Sequence, residues 1–172
     1  QFFFKLNWIN FFNLNLVFGL DGISIFFLLL STFLIPFCII SSLDSIKFKF
    51  KEFLIVLFII EFFLILIFTV LDILLFYISF EGILFPLYYL IGFWGSRSRK
   101  IFAAFQFFLY TIFGSIFMLL SIVIIFIKTG TTCLIDLLYY QFSKELEFFF
   151  WLSFFFAFSV KIPIVPFHLW LT

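Results

Sequence analysis

Charge is what this chain has least of. Lys, Arg, Asp and Glu make up 11% of its 172 residues, where soluble domains carry about 25%, and so few cannot build a water-facing surface. There is one histidine, and the two cysteines, Cys38 and Cys133, have neither the CxxC nor the Cys/His spacing that a zinc site or an iron–sulfur cluster requires. Both read as structural thiols, since a free Cys behaves as a small buried hydrophobe. No Gly-rich phosphate loop, nucleophile triad or metal-ligand cluster occurs, so no metal or cofactor site is assigned and soluble-type catalysis has no support. The net charge of +1 says nothing about nucleic acid, and with no soluble domain for a basic patch to occupy no nucleic-acid partner is expected. The chain starts at Gln1 rather than Met and lacks a basic n-region with a small-residue cleavage site, which points to a removed start or a piece of something longer.

Apolar surface is what the chain has in excess. It is 66% hydrophobic, with a mean hydropathy of +1.35, and reads as an all-α, polytopic membrane protein in contact with lipid. At about 20 residues per crossing there is room for about five helices, with spans expected at 19–41, 53–71, 73–94, 102–127 and 148–171. Residues 1–18 lack a long apolar run; their partial alternation reads as an extended or hairpin segment at the interface, with Trp8 in the aromatic belt. Asp21 and Asp72 stand where helix N-caps belong, and Pro36 removes a donor from the middle of the first span, where a kink is expected. The fourth span carries Gln106, Thr111, Gly114, Ser115 and Ser121, read as a helix contact face in preference to a water-lined path. Residues 128–147 have room for a short surface helix. The 37 phenylalanines exceed any packing need and suggest the codon bias of an AT-rich organelle genome.

Within the spans a few charges stand out. Glu81 lies near the middle of the third span, with Pro86 five residues later leaving the Gly82 carbonyl without its helical donor. A charge in hydrocarbon costs several kcal/mol unless it has a partner or a protonic role, so an intramembrane Glu is a functional candidate. Its natural partner is Lys161, the one basic residue inside another span, followed by Pro163 and Pro166, which should break the last helix in two. Broken helices at membrane depth occur where freed carbonyls line a polar cavity or are covered by protein. At ~1.5 Å per residue the two charges are offset by roughly 7 Å along the membrane normal. The alternative is a static ion pair joining two helices. Glu61 is central to the second span, as a second protonatable site or as a carboxyl hydrogen-bonded across helices. His168 reads as an interfacial residue beside Trp170 or as a relay.

Orientation follows from the loops. Lys47, Lys49 and Lys51 lie in one connection and Arg97, Arg99 and Lys100 in another, alternating with acidic or near-neutral connections. The positive-inside rule puts both basic loops on the matrix or cytoplasmic side, with the first, third and fifth spans running in parallel.

The segments FYISFEGILFPLYYLIGFWGSRSRKIFAAFQFFLYTIFGS and FSVKIPIVPFHLWL, with GLDGISIFFLLLSTFLIP upstream, resemble the chain 4 family of proton-pumping NADH:ubiquinone oxidoreductase, respiratory complex I. The likeness covers residues 18–171 and implies a location in the mitochondrial inner membrane. It also implies a subunit without a redox centre, with NADH, FMN, iron–sulfur clusters and ubiquinone on other subunits. In that family Glu81 would be the fifth-helix glutamate and Lys161 the lysine of the broken seventh helix, together moving protons, with His168 at the family's PFHxWL histidine. Family members have fourteen helices in two inverted repeats, so the partners implied are other membrane-arm subunits and a separate chain supplying the missing helices. Two other readings stand beside it: a subunit of a multi-subunit cation/proton antiporter, and a non-catalytic membrane spacer.

Overall fold

A computed structural model describes residues 2–9 and 14–170, without the side chains of residues 2, 3, 7–9, 14 and 169. The expected interfacial position of Trp8 therefore lies outside the described side chains, as residues 10–13 of the N-terminal segment and the last residue of the expected fifth span lie outside the description altogether. The chain opens with an antiparallel hairpin, β1 (Phe2–Ile9) and β2 (Leu14–Leu20), in which Phe4 pairs with Phe18 and Lys5 with Val17. The helices follow: α1 (Gly22–Ser42), α2 (Phe50–Thr69), α3 (Ile73–Gly82), α4 (Leu84–Trp94), α5 (Lys100–Thr129), the one-turn α6 (Leu134–Leu137) and α7 (Lys144–Lys161). A 3-10 turn, Phe167–Trp170, lies beyond them.

Among the described residues four segments are long and apolar enough to cross a membrane: α1, α2, α3 with α4, and α5. The fifth, α7, is shorter and carries Lys144, Glu145 and Glu147 in its first turn and Lys161 in its last. Helices α2, α5 and α7 all begin before the spans read from hydropathy. Backbone hydrogen bonding carries a helix through charged residues at the membrane surface, and hydropathy registers only the greasy part.

Local signals place the helix ends. The Asp21 N–H donates to Ser24 Oγ at 2.7 Å at the start of α1, which runs through Pro36. Asp72 caps α3, its Oδ1 accepting from the Leu75 N–H at 3.0 Å. Gly130, at φ 71°, closes α5 in the left-handed conformation that glycine adopts without steric cost.

Helix α1 is apolar all round and leaves Phe26, Phe33 and Ile40 exposed, as a lipid-facing helix does. Helix α5 buries a stripe at Ala104, Phe107, Thr111, Gly114, Ser115, Met118, Ser121, Ile122 and Ile125, a three- and four-residue spacing that turns one face inward, against α4 on one side and α7 on the other. Phe80, Met118, Ile122 and Ala157 form the core, walled by Phe76, Phe154 and Phe158.

The two ends of the bundle differ. At one, the loops before α2 and before α5 are tied together: Trp94 Nε1 donates to the Phe48 carbonyl at 3.1 Å, Tyr89 OH to Glu52 at 3.0 Å, and Lys49 lies 3.0 Å from Glu52. That hydrogen bond to the carboxylate raises the Lys49 pKa above its ordinary value. At the other end the hairpin, the α2–α3 link and the α5–α6 link are joined through backbone. Leu71 N–H donates to Val17 O at 2.8 Å, Ile73 N–H to Thr132 O at 3.0 Å and Leu134 N–H to Leu71 O at 2.9 Å. Thr132 Oγ1 also donates to Asp72 Oδ2, and the neighbouring Cys133 is buried, whereas Cys38 is exposed on α1.

Candidate functional site

The site forms where α3 ends and α7 breaks. Pro86 has no N–H to offer the Gly82 carbonyl. Ile83 still bonds to Ser79 O at 3.3 Å and Leu87 to Ile83 O at 3.2 Å, but the helix is interrupted at Ile83. Gly82 also lets α2 come close: a Cβ there would overlap the ring of Phe63 on α2, and that ring would have to shift. Glu81 is thus held on the last turn of α3, at a seam that α2 approaches closely.

Lys161 is the last residue of α7. With Pro163 unable to donate, the Ile164 N–H reaches back to the Ser159 carbonyl at 3.1 Å, and the Val160 carbonyl is taken by Trp170 Nε1 at 2.8 Å. Trp170 therefore turns into the protein, with its ring 5.0 Å from that of Phe107. It tethers the two pieces of the broken helix, a role its place beside a presumed interfacial histidine did not suggest. On α5 the absent side chain of Gly114 admits Val160: a Cβ at Gly114 would lie 3.0 Å from Val160 Cβ and Cγ2. That approach positions the neighbouring Lys161.

From there Lys161 Nζ donates to the Phe80 carbonyl and lies 3.3 Å from the centre of the Phe80 ring. Glu81, one residue along, has its Oε1 buried without a hydrogen-bond partner. The two charges do not form a contact pair. Among the described residues the ion pair within 4.0 Å is Lys49 with Glu52. Glu81 instead borders an apolar cavity of about 810 Å³ between α2, α3–α4 and α5, whose polar neighbours include Tyr77 and Ser115. The Ser115 hydroxyl donates to the Ile112 carbonyl at 2.9 Å.

The other sequence candidates stand apart. The α2 residues of that cavity are Val56, Ile59 and Phe63; at about 100° per residue Glu61 projects from the opposite side of α2, half-buried. His168 lies in the 3-10 turn beyond the break, its Nδ1 buried without a partner. Lys47, Lys49, Lys51, Arg97, Arg99 and Lys100 lie at the end of the bundle where Trp94 meets Phe48. Lys100 Nζ there donates to the Phe93 carbonyl at 2.7 Å. Two participants escaped the sequence reading. Tyr77 was readable as the residue one turn before Glu81 on the same helical face. Phe80 was not, because its part depends on a carbonyl and a ring that only the packing of α7 brings into use. Among the described residues no group of three or more His, Cys, Asp or Glu is placed to hold a metal ion.

A family model described as NADH:quinone oxidoreductase/Mrp antiporter, TM, matches residues 70–172, and one described as NADH-ubiquinone oxidoreductase chain 4, amino terminus, matches residues 1–69. NADH-ubiquinone oxidoreductase chain 4 of Chondrus crispus is 56% identical over 95% of this chain and 33% of its own length. The Marchantia polymorpha protein of the same name is 52% identical over 99% of this chain and 34% of its own. The chain thus spans about a third of the length of the curated relatives it matches. Among solved structures, a chain of respiratory complex I from Thermus thermophilus with bound aureothin shares the fold, with a TM-score of 0.71 at 20% identity over 96% of this chain and 35% of that one.

Proposed function

Because the chain belongs to the NADH:quinone oxidoreductase/Mrp antiporter membrane family, we propose that it is part of a proton-translocating membrane-arm subunit of NADH:ubiquinone oxidoreductase, with Glu81 and Lys161 as its coupled charges. One observation carries this reading: the lysine at the break of α7 reaches the residue adjoining an intramembrane glutamate, one of whose two carboxylate oxygens, Oε1, is buried without a hydrogen-bond partner. A buried charge apart from its counter-charge is costly and a paired one much less so. A shift of a few ångströms that brings the ammonium to Glu81 or withdraws it therefore changes which protonation state is favoured at both groups, and the two titrate as a unit. Proton transfer of this kind needs no cofactor on this chain. The reaction's NADH, FMN, iron–sulfur clusters and ubiquinone reside on other subunits.

The remaining assignments follow the same reading. The subunit lies in the mitochondrial inner membrane with the Lys47–Lys51 and Arg97–Lys100 loops on the matrix side, and it works beside other membrane-arm subunits and helices supplied from outside this sequence. Glu61 and His168 serve as outer steps of the proton path. The family description also names Mrp antiporters, but half or more of the aligned residues are shared with the chain 4 proteins of Chondrus crispus, Marchantia polymorpha and Arabidopsis thaliana, which favours the respiratory reading. Co-purification with NADH-oxidising subunits separates the two.

The test is proton transfer into sealed vesicles per NADH oxidised by the assembled complex. Glu81→Gln and Lys161→Ala should each sharply lower the ratio. Lys161→Arg should fail as well, because a guanidinium does not release its proton. An unchanged ratio in an assembled Lys161→Ala complex overturns the proposal.

A further inference from the structure

The interruption between α3 and α4 leaves a polar atom in an apolar place. In an unbroken helix the Leu84 N–H would bond to the Phe80 carbonyl. With Ile83 outside both helices that bond does not close, and a carbonyl left unpaired in hydrocarbon is costly. Lys161 Nζ takes it. The same ammonium lies 3.3 Å from the centre of the Phe80 ring, whose negative face attracts a cation most strongly where water is excluded. The ring itself is 9% exposed and is locked by Phe76, stacked at 5.7 Å, and by Phe158, edge-on at 5.7 Å. Phe158 belongs to α7, so the helix that carries Lys161 also braces the ring that receives it.

We propose that the Phe80 ring and carbonyl form the resting site of the protonated Lys161, which makes Phe80 a positioning residue for the charge pair. Of the charged and titratable groups, Glu81 on α3 acts on Lys161; Tyr77 on α3 and the hydroxyl of Ser115 on α5 line the cavity that Glu81 borders. Glu81 is the anion of this site, and it does not hold the ammonium in contact. The Phe80 site therefore supplies a second well for the same charge, one residue away from the carboxylate. A lysine with two wells can be handed from one to the other by a small movement of α7, whereas a single ion pair would have to be pulled apart.

The inference rests on the functional reading above, and a double-mutant comparison in the assembled complex separates the two. Phe80→Tyr keeps the aromatic face and should retain the wild-type proton-to-NADH ratio. Phe80→Leu keeps an apolar side chain without the face and should lower the rate of proton transfer about thirtyfold, the loss that removing a desolvated cation–π contact implies. In a Lys161→Ala background Phe80→Leu should add nothing, since the ring acts through that lysine. If Phe80→Leu prevents assembly, progressive ring fluorination at Phe80, which keeps the shape and weakens the negative face, should lower the rate in step with the number of fluorines. Equal rates for Phe80→Leu and wild type, an additive loss in the Lys161→Ala background, or indifference to fluorination would each overturn the resting site. An unchanged ratio in Lys161→Ala alone would instead overturn the functional reading.

Discussion

Placing one methyl group on the α5–α7 seam should move the site without touching it. In Gly114→Ala the new Cβ meets Val160 Cβ and Cγ2 at 3.0 Å and Cγ1 at 3.4 Å, inside the roughly 3.5–4.0 Å at which carbon atoms attract. The partner atoms must yield by about 0.5 Å or more. Val160 has little freedom to do so, because it is β-branched, 2% exposed and contacted at its own Cβ, so a rotamer change gives no relief and α7 itself must shift. Overpacking of this kind costs about 1–3 kcal/mol, against a gain of up to about 1 kcal/mol for replacing a mid-helix glycine by alanine. The control is Gly92→Ala on the α4–α5 seam, where the new Cβ meets Ala104 Cβ at an ordinary 3.9 Å. Gly92 lies in the last turn of α4, where the helix-propensity gain is no greater than at mid-helix Gly114. The stability difference against Gly114→Ala is therefore a lower bound on the seam's cost of about 1–3 kcal/mol. Unfolding midpoints of the purified complex in detergent measure it. Since Val160 adjoins Lys161, Gly114→Ala should also depress the proton-to-NADH ratio, while Gly92→Ala leaves it intact. Adding Val160→Ala to Gly114→Ala should recover part of the loss, because the Cγ2 contact disappears and the Cβ contact stays. Equal stability and equal pumping for the two glycine variants would refute the reasoning.

Other outcomes can be checked independently. Asp72→Ala removes the cap on α3 and leaves the Thr132 hydroxyl without its acceptor, and should destabilise that end of the bundle by about 1–3 kcal/mol; faster proteolysis of the α5–α6 link is the readout, and an unchanged rate would contradict the bridging role. Impermeant amine labelling of inside-out vesicles should reach Lys47 and Lys49, with trypsin cutting at Arg99 from the same face, because Trp94 ties the two loops together; reaction of the two loops from opposite faces would sink the topology. Expressed alone in a bilayer, residues 1–172 should aggregate or be degraded, since Glu81 and its cavity would face lipid, and recovery of a monodisperse monomer would count against outside helices.

Membrane residence, helical class and the position of most spans follow from the sequence by itself, because hydrocarbon tolerates only chain segments that satisfy their own backbone, and apolar runs of that length have one common solution. Proline and aspartate positions carried local detail for the same reason: a missing N–H or an available carboxylate acts on residues within one turn. The candidate charges were legible because a Glu or a Lys in an apolar run has no background to hide in. Span ends were less legible, since α2, α5 and α7 extend into charged residues that hydropathy leaves outside. Tertiary structure decided what no local rule contains. It put Lys161 against Phe80 rather than in contact with Glu81, turned Glu61 away from the cavity that Glu81 borders, and gave Trp170 the carbonyl freed at the break of α7. Each of these depends on which helix comes to lie beside α3, on the close approach that Gly114 allows at Val160, and on where a broken helix leaves a carbonyl free. Those are relations between residues tens of positions apart, and only the packing of the helices fixes them.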